Sequence, residues 1–223
     1  IPHQFFIQTL KADVGLPGQY GTGLVFLPQD ENEAEFCLNV LSRTIEAEGL
    51  ELSDYRDVPV DKSVPGEIAK AAEPVIKQVF VKASLERDAL ERKLYIIRKL
   101  VEKEIRQSDI RHKSSFYQPS FSAKTIIYKG MLTPGQLEDY FLDFKNENFR
   151  SAIALVHSRF STNTFPTWDL AQPFRIVAHN GEINTIKGNR LWMQAREALM
   201  KSDLFGKDLE KLFPLTEFIR STM

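Results

Sequence analysis

HSRFSTNTFPTWDLAQPFRIVAHNGEINTIKGNRLWM, residues 157–193, joins apolar runs to polar loops. The run SAIALVH (151–157) leads into it and FRIVAH (174–179) lies inside it, with the proline-broken SRFSTNTFPTWDLAQP between them. Short apolar runs bounded by Ser, Asn, Gly and Pro predict β-strands. The first predicted strand ends in HSRFSTNT and the second in AHNGEIN. Polar side chains capable of chemistry thus stand where apolar strands stop, and loops at the ends of rigid elements are where functional groups are displayed.

Asn180-Gly181 offers a side-chain amide and a backbone N–H as donors, and the missing β-carbon at Gly181 lets a ligand approach that N–H closely. Such a pair suits an oxyanion hole for acyl transfer. Taken alone, an Asn-Gly dipeptide is more often a plain turn. Arg159 could grip a carboxylate through its bidentate fork with Thr162 adding a hydroxyl donor, although an isolated arginine near a strand end is more often a surface residue. His157, His179 and Glu182 invite a metal site, yet they lack a recognised ligand spacing, and histidines alternating with apolar residues are more often packed and satisfied by backbone.

Outward from this stretch, GTGLVFL (21–27) and VIKQVFV (75–81) predict further strands, and the Pro and Asp cluster between residues 54 and 65 predicts turns around a short extended piece. Ala34, Cys37, Leu38, Leu41 and Ile45 recur at helical spacing, with Gly49 as a stop. Cys37 on that face reads as a core thiol without a reactive role. Residues 84–107 predict a solvent-facing amphipathic helix, with Leu90, Leu94, Ile97, Val101 and Ile105 on its apolar side and opposite charges such as Asp88/Arg92 and Glu102/Arg106 four apart. KTIIYKG (124–130) reads as a strand before a helix that Thr133, Pro134 and Gln136 would cap and whose buried stripe is Leu137, Tyr140, Phe141 and Phe144. A last helix should carry Leu191, Trp192, Ala195 and Leu199 on one side. Strands and helices follow one another without regular βα alternation or a nucleotide-binding glycine fingerprint, which favours an α+β sandwich.

The 29 basic and 30 acidic residues leave a net charge of −1, so no general attraction to nucleic acid or to an anionic membrane is expected. No run approaches the ~18 apolar residues of a membrane span, and the single cysteine excludes an intrachain disulfide. A cytoplasmic, reducing location is compatible with that composition. The opening at Ile1 and the closing EFIRSTM suggest a piece of a longer polypeptide.

As a whole, residues 157–193 resemble the glutaminase domain of glutamate synthase, a class II, N-terminal-nucleophile amidotransferase. IPHQFF (1–6), GLVFLPQD (23–30) and SAKTIIYKGML (122–132) are weaker echoes of the same family. The resemblance implies that residues 1–223 are part of one such domain, a four-layer α/β/β/α sandwich incomplete at both ends. It makes Arg159 the residue that binds the α-carboxylate of glutamine, with Thr162 assisting and Phe160 lining the pocket, and it makes Asn180 and Gly181 the oxyanion-hole donors. His157, His179 and Glu182 become structural, and no metal is implied.

In the family the nucleophile is a cysteine exposed as the first residue after processing, so the resemblance places that strand upstream of Ile1, puts the acidic residue gripping the substrate amino group beyond Met223, and implies that this chain alone is inactive. It further implies a parent with FMN and an iron–sulfur cluster in synthase domains of the same polypeptide, ammonia transfer to 2-oxoglutarate, and ferredoxin or an NAD(P)H-dependent small subunit as electron donor. None of those cofactors is expected in this segment. Three alternatives stay open: a glutaminase-like scaffold without catalysis, another class II amidotransferase, and a metal-dependent hydrolase built on His157, His179 and Glu182.

Overall fold

The computed structural model describes residues 1–10, 13–158, 165–179, 181 and 185–216. These fall into two compact units, Ile1–Asn180 and Gly181–Met223.

The first unit is built on strands β1 (Tyr20–Leu27), β2 (Glu51–Asp57) and β3 (Val75–Lys82), with helices α1 (His3–Thr9), α2 (Glu31–Ala47), α3 (Glu67–Ala71), α4 (Arg87–Gln107) and α5 (Gln136–Tyr140). Strand β3 is central and pairs antiparallel with both neighbours, Tyr20 opposite Lys82 and Glu51 opposite the same residue. β1 and β2 therefore run parallel on either side of it, and a chain that makes two parallel strands must cross the sheet between them. α2 makes that crossing.

Helix α2 starts where the Asp30 carboxylate accepts from Glu33 N at 3.0 Å, a side-chain cap on an otherwise orphaned donor. It ends at Gly49, whose φ of +79° is the left-handed conformation that glycine adopts without steric cost. Gly49 N donates to Glu46 O and Leu50 N to Ile45 O, the two bonds of a Schellman motif, and Leu50 and Ile45 are both buried as that motif favours. The expected stop is thus realised in full.

Alternation along the strands decides the two faces of the sheet. Val25, Leu27, Val79 and Val81 face α2 and α4 and form one cluster with Cys37, Leu41, Ile45, Leu90, Leu94, Ile97, Val101 and Ile105. A β-carbon on Gly21 would lie 2.5 Å from Leu94 Cδ1, so glycine there lets α4 settle onto β1. α4 is more buried than the expected solvent-facing helix. Arg98 and Glu102 are buried on it as a 2.6 Å ion pair, and Asp88 pairs with Lys124 at 2.7 Å.

The opposite face is covered by loops and short helical turns. Leu24, Phe26 and Ile76 meet Val58, Ala69, Tyr140, Phe141 and Trp168, and Phe5, Phe6 and Val14 close over Tyr20 and Phe80. Leu137, Tyr140, Phe141 and Phe144 join this layer as expected. The helix is shorter than its apolar stripe, but Gln136 Oε1 does accept from Thr133 N at 3.0 Å, the back-reaching half of a capping box.

Three expected strands are not formed. In KTIIYKG the amide donors of Lys124 and Thr125 go to Ser122 Oγ and that of Ile127 to Ser120 Oγ, so side chains take the bonds a ladder would use. SAIALVH has no ladder among the described residues, and FRIVAH keeps only the Phe174–Val177 bridge of a tight turn. Conversely, β2 and α1 are elements that periodicity did not reveal; β2 reads ELSDYRD, with a bulge between Leu52 and Asp54. The described residues form an α+β unit with one sheet, and the second sheet of the expected sandwich is not among them.

The second unit contains α6 (Ile186–Glu197). The helix forms as expected, but its anticipated apolar side is open, with Leu191 and Leu199 exposed and Trp192 73% exposed.

Candidate functional site

The segment between the two polar loops is tied to the first unit by its tryptophan. Trp168 is buried against Phe26 and Tyr140, and its indole Nε1 donates to Ala69 O at 2.9 Å. A buried indole needs such a partner. A β-carbon on Gly130 would sit 2.5 Å from Trp168 Cζ3, so glycine leaves the space that the ring fills.

Beside it, Lys129 is buried with its ammonium pointed at the same segment. Nζ donates to Asp169 O at 2.7 Å, to Ala171 O at 2.9 Å and to Tyr117 Oη at 3.3 Å. It also lies 4.5 Å from the centre of the Tyr117 ring and 4.6 Å from that of Phe174, distances at which ring quadrupoles attract a cation. Burial pushes the Lys129 ammonium down to about 7, with Asp169 opposing the fall and Arg175 adding to it.

Beyond Ala171 the chain turns back on itself. Phe174 and Val177 exchange backbone hydrogen bonds of 2.8 and 2.9 Å, and Arg175 inside the turn has a φ of +53°, uncommon for a residue with a β-carbon. Across the turn, the Gln172 side chain bonds both backbone groups of His179, Nε2 donating to O at 2.7 Å and Oε1 accepting from N at 2.8 Å.

Of the residues singled out from sequence, Arg159, Phe160, Thr162, Asn180 and Glu182 lie outside the described residues. Gly181 is exposed. The ring nitrogens of His157 are buried without a hydrogen-bond partner among the described residues, which corrects the expectation that backbone satisfies them. Cys37 is fully buried, and burial, reinforced by Glu33, pushes its thiol up to about 12. Since the thiolate is the attacking species, Cys37 is inert, as its helical spacing suggested. Among the described residues there is no cluster of three or more acidic, histidine or cysteine side chains able to hold a metal, and no helix is long and apolar enough to cross a membrane. An open cavity of about 650 Å³ in the second unit, lined in part by Glu197, Lys201, Asp203 and Phe213, contains no residue of 157–181.

Sequence reasoning missed Lys129, Trp168 and Gln172. Only the YKG of KTIIYKG and the tryptophan in a polar loop mark their positions, and neither pattern says that the two meet.

The chain belongs to the class II glutamine amidotransferases, whose family pattern it matches over residues 1–222. Within that class its similarity points to one group of proteins. The glutamate synthase [NADPH] large chain of Bacillus subtilis is 45% identical over 220 residues, covering 96% of this chain and 14% of the relative. Ferredoxin-dependent glutamate synthase of rice, a chloroplastic protein, is 46% identical over 193 residues, 85% of this chain and 12% of its own length. Glutamate synthase [NADH] of Schizosaccharomyces pombe is 43% identical over 210 residues, 90% and 10% respectively. The chain thus spans 10–14% of the length of these relatives.

Proposed function

We propose that this chain is the substrate-binding and oxyanion-stabilising part of a glutaminase domain, acting within a glutamate synthase that hydrolyses glutamine and delivers the ammonia to 2-oxoglutarate. The observation that carries the reading is the joined run 157–193, which sits in a chain 43–46% identical to three glutamate synthases.

Arg159 holds the α-carboxylate of glutamine through its fork, Thr162 adds a hydroxyl donor and Phe160 forms a wall of the pocket. A cysteine thiolate attacks the side-chain amide carbon, with its own α-amino group as base, and the resulting oxyanion rests on the Asn180 amide and the Gly181 N–H. Collapse of the tetrahedral species expels ammonia and leaves a γ-glutamyl thioester, which water hydrolyses to glutamate. A thiol pushed up to about 12 cannot be that nucleophile, and Cys37 is the only cysteine of the 223 residues. The attacking thiol therefore comes from elsewhere in the polypeptide, and these residues alone do not turn over glutamine. In this reading the domain completes the four-layer sandwich with strands outside those described.

An iron–sulfur cluster is held by up to four thiolates, which one buried cysteine cannot supply. Cluster and flavin are accordingly placed in the synthase domains, with ferredoxin or an NAD(P)H-dependent subunit delivering electrons there.

The test is Arg159→Lys in the full-length protein. A point charge cannot copy the fork, so KM for glutamine rises about 10-fold to 100-fold, the loss of one charge-assisted bond. An unchanged KM removes Arg159 from the site.

A further inference from the structure

The stretch 168–177 lies on the core as a strap with two attachments. Trp168 is the only buried side chain of residues 165–179, and its indole donates to Ala69 O. Beyond it apolar burial gives way, with Ile176 78% and Val177 52% exposed, and the second attachment is Lys129. Its Nζ joins two parts of the molecule. Tyr117 Oη belongs to the segment that bridges to Phe26 of β1, whereas the Asp169 and Ala171 carbonyls and the Phe174 ring belong to the strap.

The bonds suit an ammonium, but the surroundings do not. Three N–H donors meet three acceptors, and two ring faces add their attraction. Yet no carboxylate bonds Nζ among the described residues, since that of Asp169 accepts instead from Thr167 Oγ1 at 2.6 Å, and Lys129 is only 2% exposed. A buried charge without a counter-ion costs desolvation that backbone dipoles offset only in part. A neutral amine avoids that cost and still donates twice, enough for the two strap carbonyls. The strap supplies two of the three acceptors and one of the two rings, so its departure is what returns Nζ to water.

We propose that residues 168–177 are a strap that Lys129 latches to the core, and that release of the strap takes up a proton on Lys129 Nζ. Burial supports this direction, holding the seated Lys129 ammonium at about 7 against an ordinary 10.5. Between those values the released state binds a proton that the seated state does not, so release becomes easier as pH falls. The groups facing Nζ are Tyr117 from the segment beside β1 and Asp169 and Arg175 from the strap, with Arg98 and Glu102 of α4 acting on Tyr117. Burial raises the Tyr117 phenol, which keeps it protonated through the same range.

The experiment is hydrogen–deuterium exchange of the full-length protein between pH 7.5 and 9, read on peptides covering residues 165–179 and on a β3 peptide. Dividing each rate by that of the same peptide in the unfolded protein gives an opening constant. The strap is expected to open more readily than β3, and its opening constant to fall about 10-fold per pH unit, roughly 30-fold across the range, the signature of one proton taken up. Lys129→Met and Lys129→Arg both lose that fall, because neither side chain releases a proton there. Lys129→Arg also leaves the strap open more often at pH 9 than the wild type, and it carries the comparison if Lys129→Met fails to fold. A strap that exchanges no faster than β3 is released only by unfolding, and that result overturns the proposal. So does a wild-type opening constant independent of pH, or the same fall in a Lys129 variant.

Discussion

Strand Tyr20–Leu27 and the run at 151–157 are both short, apolar and bounded by turn formers, yet every residue of the first is buried, whereas Ile153 and Val156 of the second are 84% and 77% exposed. The difference lies in what surrounds them. β1 has β3 along one edge and bridges to Ser122 and Tyr117 along the other, with α4 over one face and Tyr140, Phe141 and Trp168 on the other. The run 151–157 has no ladder among the described residues. An apolar run states how much surface a segment could hide; whether it becomes a strand depends on partners that its own residues do not encode.

The largest expected effect comes from Arg56, on the strand β2 that shares β3 with β1. Its guanidinium makes two bonds to the buried Asp143, at 2.8 and 2.6 Å, and two more to Gln78 on the central strand. Tyr128 adds a third donor to the same carboxylate. Arg56→Met leaves that carboxylate buried beside an apolar side chain, a change that costs about 3–5 kcal/mol. Denaturant unfolding measures the loss, and Asp143→Leu added to Arg56→Met should recover part of it, since the uncompensated charge is then gone.

This network shows why some of the molecule was legible in sequence and some was not. Cys37, Leu41 and Ile45 on α2, and Leu90, Leu94, Ile97, Val101 and Ile105 on α4, read correctly because helical spacing is a local property and one apolar face suffices to bury them. Gly49 was legible because only a few residues suit a left-handed stop. β2 was missed because its ELSDYRD is polar and half-buried, held as a strand by β3 and by the Arg56–Asp143 contact, which links residues 87 positions apart. The proposed roles of Arg159 and Asn180-Gly181 rest on chemical type and resemblance, because a fork and a β-carbon-free donor have few substitutes. The contacts of Lys129 with residues 169 and 171 and of Gln172 with His179 could not be read, since each looks like an ordinary polar residue until the chain brings the partners together.

Lys129 gives the next effect in size. Burial holds its ammonium at about 7, against an ordinary 10.5, with Asp169, Arg175 and Tyr117 as the charged and titratable groups around it. Between those two values the unfolded chain binds a proton that the folded chain does not. Stability from this group is therefore complete above about 10.5, falls as pH is lowered, and is gone below about 7, a slope of up to about 1.4 kcal/mol per pH unit. Lys129→Met abolishes that slope. Cys37 acts with the opposite sign, because a thiol raised to about 12 keeps its proton longer when folded, but it does so equally in both proteins. Subtracting the two pH profiles of unfolding free energy isolates Lys129, and parallel profiles would mean that its ammonium is solvated.

The smallest expected effect is the one that most directly tests the contrast between β1 and residues 151–157. Ile153 is the most exposed large apolar side chain of the described residues, so Ile153→Ser in this chain removes almost no burial and should change stability by no more than about 0.5 kcal/mol. The same logic applied to Leu24, fully buried at the heart of β1, gives a loss of several kcal/mol for Leu24→Ala, about 2–5. Urea unfolding of the two variants places both on one scale. A loss above about 1 kcal/mol for Ile153→Ser would show that residues 151–157 are covered in solution. Exposure would then no longer distinguish this run from β1, and the strand that its sequence predicts would have found a partner. If the same loss appeared only in the full-length protein, the partner would belong to the rest of that polypeptide, and the strand that the sequence predicts at 151–157 would be completed by residues outside this chain.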